Sequence, residues 1–508
     1  MPKDYKINNH YKKKILNTID YDELDYMLNL SNNDLNNYLN NLFKKDINKL
    51  NVYAHLLDNK NFEILINYIN QHNIKIKIIK ISIGKNTTSD NKLGYLTKIF
   101  NFSDTIFNLY LHRTSLNLNN NCIFQEFIKT CKINKVGIYG DDRYYKDTLY
   151  NSDIINKLLK TNNIKKLNYI LDNDEDYELY DDLYNNNSLE EFYLLRHQNY
   201  SLSEIVQNVK TLKKVMIYDD YDENVSNLIT SNKSLESLTV FGDKFIKSNI
   251  HDQFFETLKY NTTLKSLELR SFSSENEKSL AEVLKVNSSL KEIILFDHIQ
   301  EPEILSSLQN NTSINYVYIN NIDKTNINDF IRLLENNKTI NKLDLTLNLK
   351  DIQEDTKDKL FKILESNKHI TNLYVSLYSN KNNTSDLIYS LIKNNNTITD
   401  LYINCSKYET TNIDLLLLSE SIKLNKTLIN LQVNNCQVKD LDDNQINIKI
   451  NDNLLSNYTL KTLYIPIKSY NNQFNIMIKK HKSLKYIILN ENKIVCKDGY
   501  YKKFELNK

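Results

Sequence analysis

The chain is 508 residues long, with 65 Lys and Arg against 63 Asp and Glu and a formal net charge of +2 at pH 7. That balance supplies no overall field to draw it onto nucleic acid or an anionic membrane, and 41% hydrophobic with 25% charged residues is the composition of a folded chain. Six Gly, three Pro and no Trp leave the turns to be made mostly with Asn, Asp and Ser.

The N-terminal residues Met1 to His10 hold no apolar core of a signal peptide, and no run approaches the length of a membrane span. Five scattered cysteines, an odd number, suit a reducing compartment better than a disulfide framework. An intracellular, cytoplasmic protein is the expectation. Within residues 1–58, Ser31 and Asp34 read as a helix start, followed by Leu35, Tyr38, Leu39, Leu42 and Phe43 on one helical face. A second helix is expected over Leu50–Leu57. This segment is read as an N-terminal helical cap over a repeat array, with a small docking segment as the alternative.

From residue 59 one phrase takes over: Asn261-Thr262-Thr263-Leu264-Lys265-Ser266-Leu267-Glu268-Leu269 is its cleanest form. Aligned on its first aliphatic, it recurs at Ile76, Ile106, Ile133, Ile164, Leu189, Leu212, Leu235, Leu264, Leu290, Ile314, Ile340, Ile370, Ile398, Leu428, Leu460 and Leu484. The mean period is about 27 residues, in the range of known solenoid repeats. Apolar residues three and five positions after the first aliphatic predict a short strand with alternate side chains turned inward. Ahead of each phrase lies a helical pattern, as in Leu280, Val283 and Leu284 or Phe330, Leu333 and Leu334. One strand and one helix cannot bury their apolar faces alone, whereas stacked copies share a core. The opening Asn is expected to end the helix in a left-handed conformation, and the Ser or Thr two residues on to bond the backbone of the turn. Asn232, Asn261, Asn287, Asn311, Asn337 and Asn425 also match the glycosylation acceptor pattern, which the repeat itself generates. Residues 493–508 close the array as a C-terminal cap, with Tyr500, Tyr501 and Phe504 available to cover the last layer.

The phrase resembles the leucine-rich repeats of the ribonuclease-inhibitor-like class over residues 59–492. The resemblance implies an α/β leucine-rich-repeat solenoid, a horseshoe with parallel strands on the concave face and helices on the convex face. That class carries an inward Asn or Cys eight residues after the first aliphatic. Asn348, Cys436 and Asn492 match it, while Phe272, Ile322 and Tyr378 depart from it.

No catalytic, metal or cofactor constellation emerges. The nine histidines form no His-x-x-x-His pair, no Cys-x-x-Cys exists, and no Gly-rich phosphate loop is present. Asp141 with Asp142, Asp181 with Asp182, and Asp442 with Asp443 fall in predicted turns, where carboxylates are ordinarily solvated. What remains is a surface. Four residues after the first aliphatic, a column on the inner face holds Tyr110, Tyr193, Tyr318, Tyr374, Tyr402 and Tyr464, where 35 Tyr in 508 residues would place about one. Tyr193, Met216, Tyr218, Phe241, Ile294, Phe296, Tyr316 and Tyr318, joined by Tyr374 and Tyr402, form the candidate binding surface, interrupted by Glu268 and Arg270. Tyr also packs well on any pleated surface, so strand propensity competes with recognition as its explanation. The expectation is a non-enzymatic scaffold that needs no cofactor or metal and binds a protein partner on its concave face. Nucleic acid and membrane are not expected partners, and a homodimer through the aromatic face is possible in principle. An adaptor docked through residues 1–58 onto a larger complex such as a ubiquitin ligase is the rival.

Overall fold

The structure is a computed structural model. Up to residue 195 it describes the strands named below and short segments beside them; beyond that it describes 208–218, 223–241, 251–270, 274–296, 299–378, 384–405, 412–434, 444–465, 480–484 and a few shorter strands. The chain divides into two compact units, the first comprising residues 1–219 and 227–235, the second 220–226 and 236–508.

In the first unit, β1 (Thr18–Ile19), β2 (Lys49–Tyr53), β3 (Ile78–Ile83), β4 (Ile106–His112), β5 (Lys132–Tyr139), β6 (Lys166–Ile170), β7 (Glu191–Leu195) and β8 (Lys214–Tyr218) pair in parallel in chain order. Two sequence expectations are corrected here. Lys49–Tyr53 is a strand, not the start of a helix over Leu50–Leu57, and Leu50 and Val52 pair with Ile79 and Ile81. The stretch satisfies both apolar periods, and a parallel neighbour that receives its backbone hydrogen bonds decides for the strand. The alignment also sets Leu109 opposite Ile79, whereas Ile79 pairs with Phe107 and Leu109 with Ile81. A two-residue slip preserves the strand's alternation, so patterning alone does not distinguish the registers. The helices expected at 31–43 and the residues Tyr500 and Phe504 lie outside the described residues.

The second unit repeats strand and helix. Its strands are β9 (Ser237–Phe241), β10 (Ser266–Arg270), β11 (Glu292–Leu295), β12 (Tyr316–Ile322), β13 (Lys342–Asn348), β14 (Asn372–Tyr378), β15 (Asp400–Cys405), β17 (Asn430–Asn434), β19 (Thr462–Tyr464) and β20 (Tyr486–Asn490), all parallel to their neighbours. The two-residue β16 (Asn412–Ile413) and β18 (Gln437–Val438) pair with each other outside this sheet, and β21 (Lys493–Cys496) and β22 (Tyr501–Lys503) continue it antiparallel. The helices are α1 (Glu223–Ser231), which straddles the division between units, then α2 (His251–Tyr260), α3 (Ser274–Val286), α4 (Pro302–Asn310), α5 (Ile327–Asn336), α6 (Glu354–Ser366), α7 (Thr384–Asn394), α8 (Leu415–Leu424) and α9 (Asn444–Leu455). This is the α/β leucine-rich-repeat solenoid: strands on one face, helices on the other, and an aliphatic core between them. In the copy starting at Ile340 that core is Leu343, Leu345 and Leu347 from the strand against Phe330, Ile331 and Leu333 from the preceding helix, all buried.

The opening Asn holds copies together in a way its local sequence does not reveal. Asn311, Asn337, Asn367 and Asn425 are extended at φ −70, −74, −63 and −73°, not left-handed. Each is buried and bonds through its side chain instead. Asn337 Oδ1 accepts the Thr339 and Ile340 N–H groups at 2.9 Å, while Nδ2 donates to the Leu308 and Asn311 carbonyls of the preceding copy at 2.7 and 3.0 Å. Asn287, Asn395, Asn425 and Asn457 repeat the pattern. Buried turn carbonyls and N–H groups must find partners, and one amide serves four of them. Asn232, Asn287, Asn311, Asn337 and Asn425 commit to such bonds the nitrogen a glycan would need. In the last copy His481 replaces Asn: Nε2 lies 2.9 Å from the Leu454 carbonyl, and Nδ1 accepts Ser483 and Leu484 N–H at 3.2 and 2.9 Å. The one non-Gly residue with positive φ among those described is Asn321, at 61°. It sits in a bulge between Ile319 and Ile322, which carries Ile322 into the core beside Leu347 and accounts for its departure from the Asn/Cys marker.

Candidate interaction surface

Because strand side chains alternate, the residues between core positions line the outer strand face. β12, β13 and β14 show this as unbroken alternation of buried and half-buried residues over most of their length. Parallel register then stacks them in columns: Thr239, Glu268, Ile294, Tyr318, Asp344, Tyr374, Tyr402, Gln432, Tyr464 and Ile488 follow one another in the second unit.

In the first unit, Tyr193 and Met216 are register neighbours. Lys166 Nζ lies 4.1 Å from the centre of the Tyr193 ring and pairs with Glu191, whose Oε2 also accepts the Tyr193 hydroxyl at 3.1 Å. Burial lowers the Lys166 pKa, with Glu191 opposing. Tyr218 closes β8.

The second unit holds Phe241, Ile294, Phe296, Tyr316, Tyr318, Tyr374 and Tyr402, each half-buried. Arg270, expected from sequence to interrupt the aromatics, joins them. Its guanidinium carbon lies 3.6 Å from the Phe296 ring centre and 4.5 Å from that of Phe241, so it is stacked between two rings. Glu268 neutralises it, accepting Arg270 Nε at 2.7 Å, while Thr239 donates to the other Glu268 oxygen at 3.2 Å. Phe296 continues into Tyr318, with ring centres 4.8 Å apart. Lys342 Nζ stands 3.8 Å above the Tyr316 ring. Further along, Tyr374 and Tyr402 are 6.0 Å apart and Asn434 donates to the Tyr402 oxygen at 2.6 Å. Burial pushes the Tyr402 phenol upward. Asp344, which the sequence alignment also places in this column but which was not among the candidate site residues, lies between Tyr318 and Tyr374. Burial lifts its carboxyl from 3.8 to about 6, with Lys342 pulling the other way.

Among the described residues no group of three or more His, Cys, Asp or Glu is placed to hold a metal ion, and no helix is long and apolar enough to cross a membrane. No protein-family model matches the chain, and no curated protein does. Solved structures to which it is similar include TLR13 in complex with ssRNA13 (15% identity, TM-score 0.41, 87% of this chain and 58% of that one). A leucine-rich-repeat protein of Leptospira interrogans is similar at 14% identity and TM-score 0.32, over 77% of this chain and 97% of that one. Actin-binding site 2 of leiomodin-1 follows at 17% identity and TM-score 0.22, over 34% and 88%. The chain thus spans 58% of the TLR13 chain, less than two thirds. The assignment as a repeat solenoid rests on the chain's own strand register.

Proposed function

We propose that the protein is a non-enzymatic interaction scaffold of the ribonuclease-inhibitor-like class that binds a protein partner on its strand face. The carrying observation is the second unit's run of half-exposed rings from Phe241 through Phe296 to Tyr318, held by Arg270 and left uncovered by any described element. Rings fixed by neighbours lose little entropy on binding and bring large contact area, the character of interface anchors. Helices of nine to thirteen residues between successive strands support the class. The strand at Lys49–Tyr53 favours reading residues 1–58 as the start of the array over a free docking segment, which weakens the adaptor alternative.

The test is affinity capture from the native cell with wild type and with the Phe296→Ala/Tyr318→Ala/Tyr374→Ala variant, matched for folded content. Loss of a specific protein from the variant's eluate supports the reading. Identical eluates would remove it. Light scattering on both proteins separates a partner from a second copy of this chain.

A further inference from the structure

Three clusters on the strand faces are built from the same parts: an acid, a basic side chain and aromatic rings. Two are complete. Lys166 sits over the single ring of Tyr193 with Glu191 as counter-charge. Arg270 on β10 lies between Phe241, one strand before it, and Phe296, one strand after it, with Glu268 as counter-charge. The third has an acid and rings, but its base, Lys342, acts on the carboxylate from a place over the Tyr316 ring and not from between the two flanking rings. Asp344 on β13 stands between Tyr318 on β12 and Tyr374 on β14, the same spacing of ring, centre and ring as around Arg270. No hydrogen bond or ion pair from the described residues reaches the Asp344 carboxylate, and the nearest base on its own strand, Lys342, is placed over Tyr316.

We propose that this third cluster is a recognition site for an arginine side chain of the protein partner, with Asp344 as its counter-charge and Tyr318 and Tyr374 as its walls. The inference rests on the strand face being the binding surface. Rings on strands two steps apart are separated by roughly 10 Å, room for a planar cation with a ring on either side. A guanidinium uses such a slot through both faces and presents a donor fork to a carboxylate, whereas an ammonium does neither. The chain makes the same choice internally: the two-ring slot holds Arg270, and the single ring holds Lys166. A half-buried carboxylate without a hydrogen-bonded partner carries a desolvation cost that an incoming cation relieves.

The full-length protein is used to select from a displayed library of random twelve-residue peptides, in parallel with Asp344→Asn and Asp344→Lys. Arginine should be enriched in the wild-type pool relative to the Asp344→Asn pool, and acidic residues in the Asp344→Lys pool. Replacing that arginine by citrulline in a selected peptide should weaken binding to wild type about tenfold or more and leave binding to Asp344→Asn unchanged. A wild-type pool without arginine enrichment, or an equal citrulline effect on both proteins, overturns the proposal. If such peptides are still lost with Phe296→Ala/Tyr318→Ala, the strand-face reading survives and the arginine site alone fails. If they bind that variant undiminished, both fail.

Discussion

Asn337 illustrates how much one buried side chain carries, since its removal strands two turn N–H groups and two carbonyls of the preceding copy. Each unsatisfied buried group costs about 1–3 kcal/mol, so with partial relaxation Asn337→Ala should lower stability by about 3 kcal/mol, read as a shift in the urea midpoint. A change below about 0.5 kcal/mol would refute the ladder's role. His481 tests the same geometry in other chemistry. With Nδ1 facing two N–H donors, its proton belongs on Nε2, facing the Leu454 carbonyl. His481→Asn should therefore fall within about 1 kcal/mol of wild type, while His481→Ala should lose about 2 or more. Asp344 sets a pH dependence of the opposite kind to a salt-bridged acid. Its raised pKa means that between 3.8 and about 6 the folded chain holds a proton the unfolded chain has released. Stability accordingly falls as pH rises through that window, by at most about 3 kcal/mol, and the full cost persists above it. The groups facing it are Lys342 on its own strand, Tyr316 and Tyr318 from β12, and Tyr374 from β14; Tyr402 lies one strand further. Asp344→Asn should be more stable than wild type at pH 7.5 and nearly equal to it at pH 3.5, measured by urea unfolding at both. A pH-independent difference would show that the carboxyl is not the source.

At the scale of elements, helices start and stop through side chains as well as through propensity. Asp414 caps α8, its Oδ1 accepting the Leu416 and Leu417 N–H groups at 2.8 and 3.3 Å. Asp414→Ala should cost about 1 kcal/mol, with faster amide exchange confined to the first turn of α8; uniform exchange would point elsewhere. Glu277 in α3 serves the next copy instead, accepting Gln300 and Glu301 N–H ahead of α4 from a buried position. The strands were legible because aliphatics two apart behind an Asn admit one reading, and from Ile133 onward every described pairing between copies keeps the aligned positions opposite one another up to the bulge that offsets Ile322 by one residue. The Asn ladder was half legible: position and role in ending the helix are local, but the Nδ2 acceptors lie 23–35 residues back in the preceding copy. Strand β2 was missed because Leu50, Tyr53 and Leu57 fit a helical period while Leu50 and Val52 fit a strand's, over so short a run. Arg270 was misjudged as an interruption, since its partners Phe241 and Phe296 become neighbours only through register. Asp344 could be placed in its column between Tyr318 and Tyr374 from sequence, but its burial, which raises its pKa, could not be read there.

For the molecule as a whole, a repeat stack gains its stability from nearest neighbours and leaves an open strand edge wherever stacking stops. In the second unit the parallel order ends at β20, and the chain then turns back: Ile488 pairs with Ile494 and Tyr486 with Cys496 antiparallel, and β22 pairs in turn with β21. Reversal of direction ends the register that a further parallel copy would extend, and the short, lysine-bearing β22 (Tyr501–Lys503) is a poor template for another chain. Removing residues 491–508 would leave the unpaired edge of β20, Tyr486–Asn490, with Ile487, Ile488 and Leu489 along it. The truncated protein should therefore self-associate at concentrations where the full chain does not, and the last copy should lose protection first. Light scattering against concentration, paired with hydrogen exchange over β19 and β20, reads both effects. The edge is also reachable by one substitution: Ile494→Pro places a residue without an N–H in the middle of β21, opposite Ile488, and should reproduce the association without shortening the chain. If both proteins match the full chain in mass and exchange, the hairpin adds nothing to the array, and the stack must end on the strength of β20 alone.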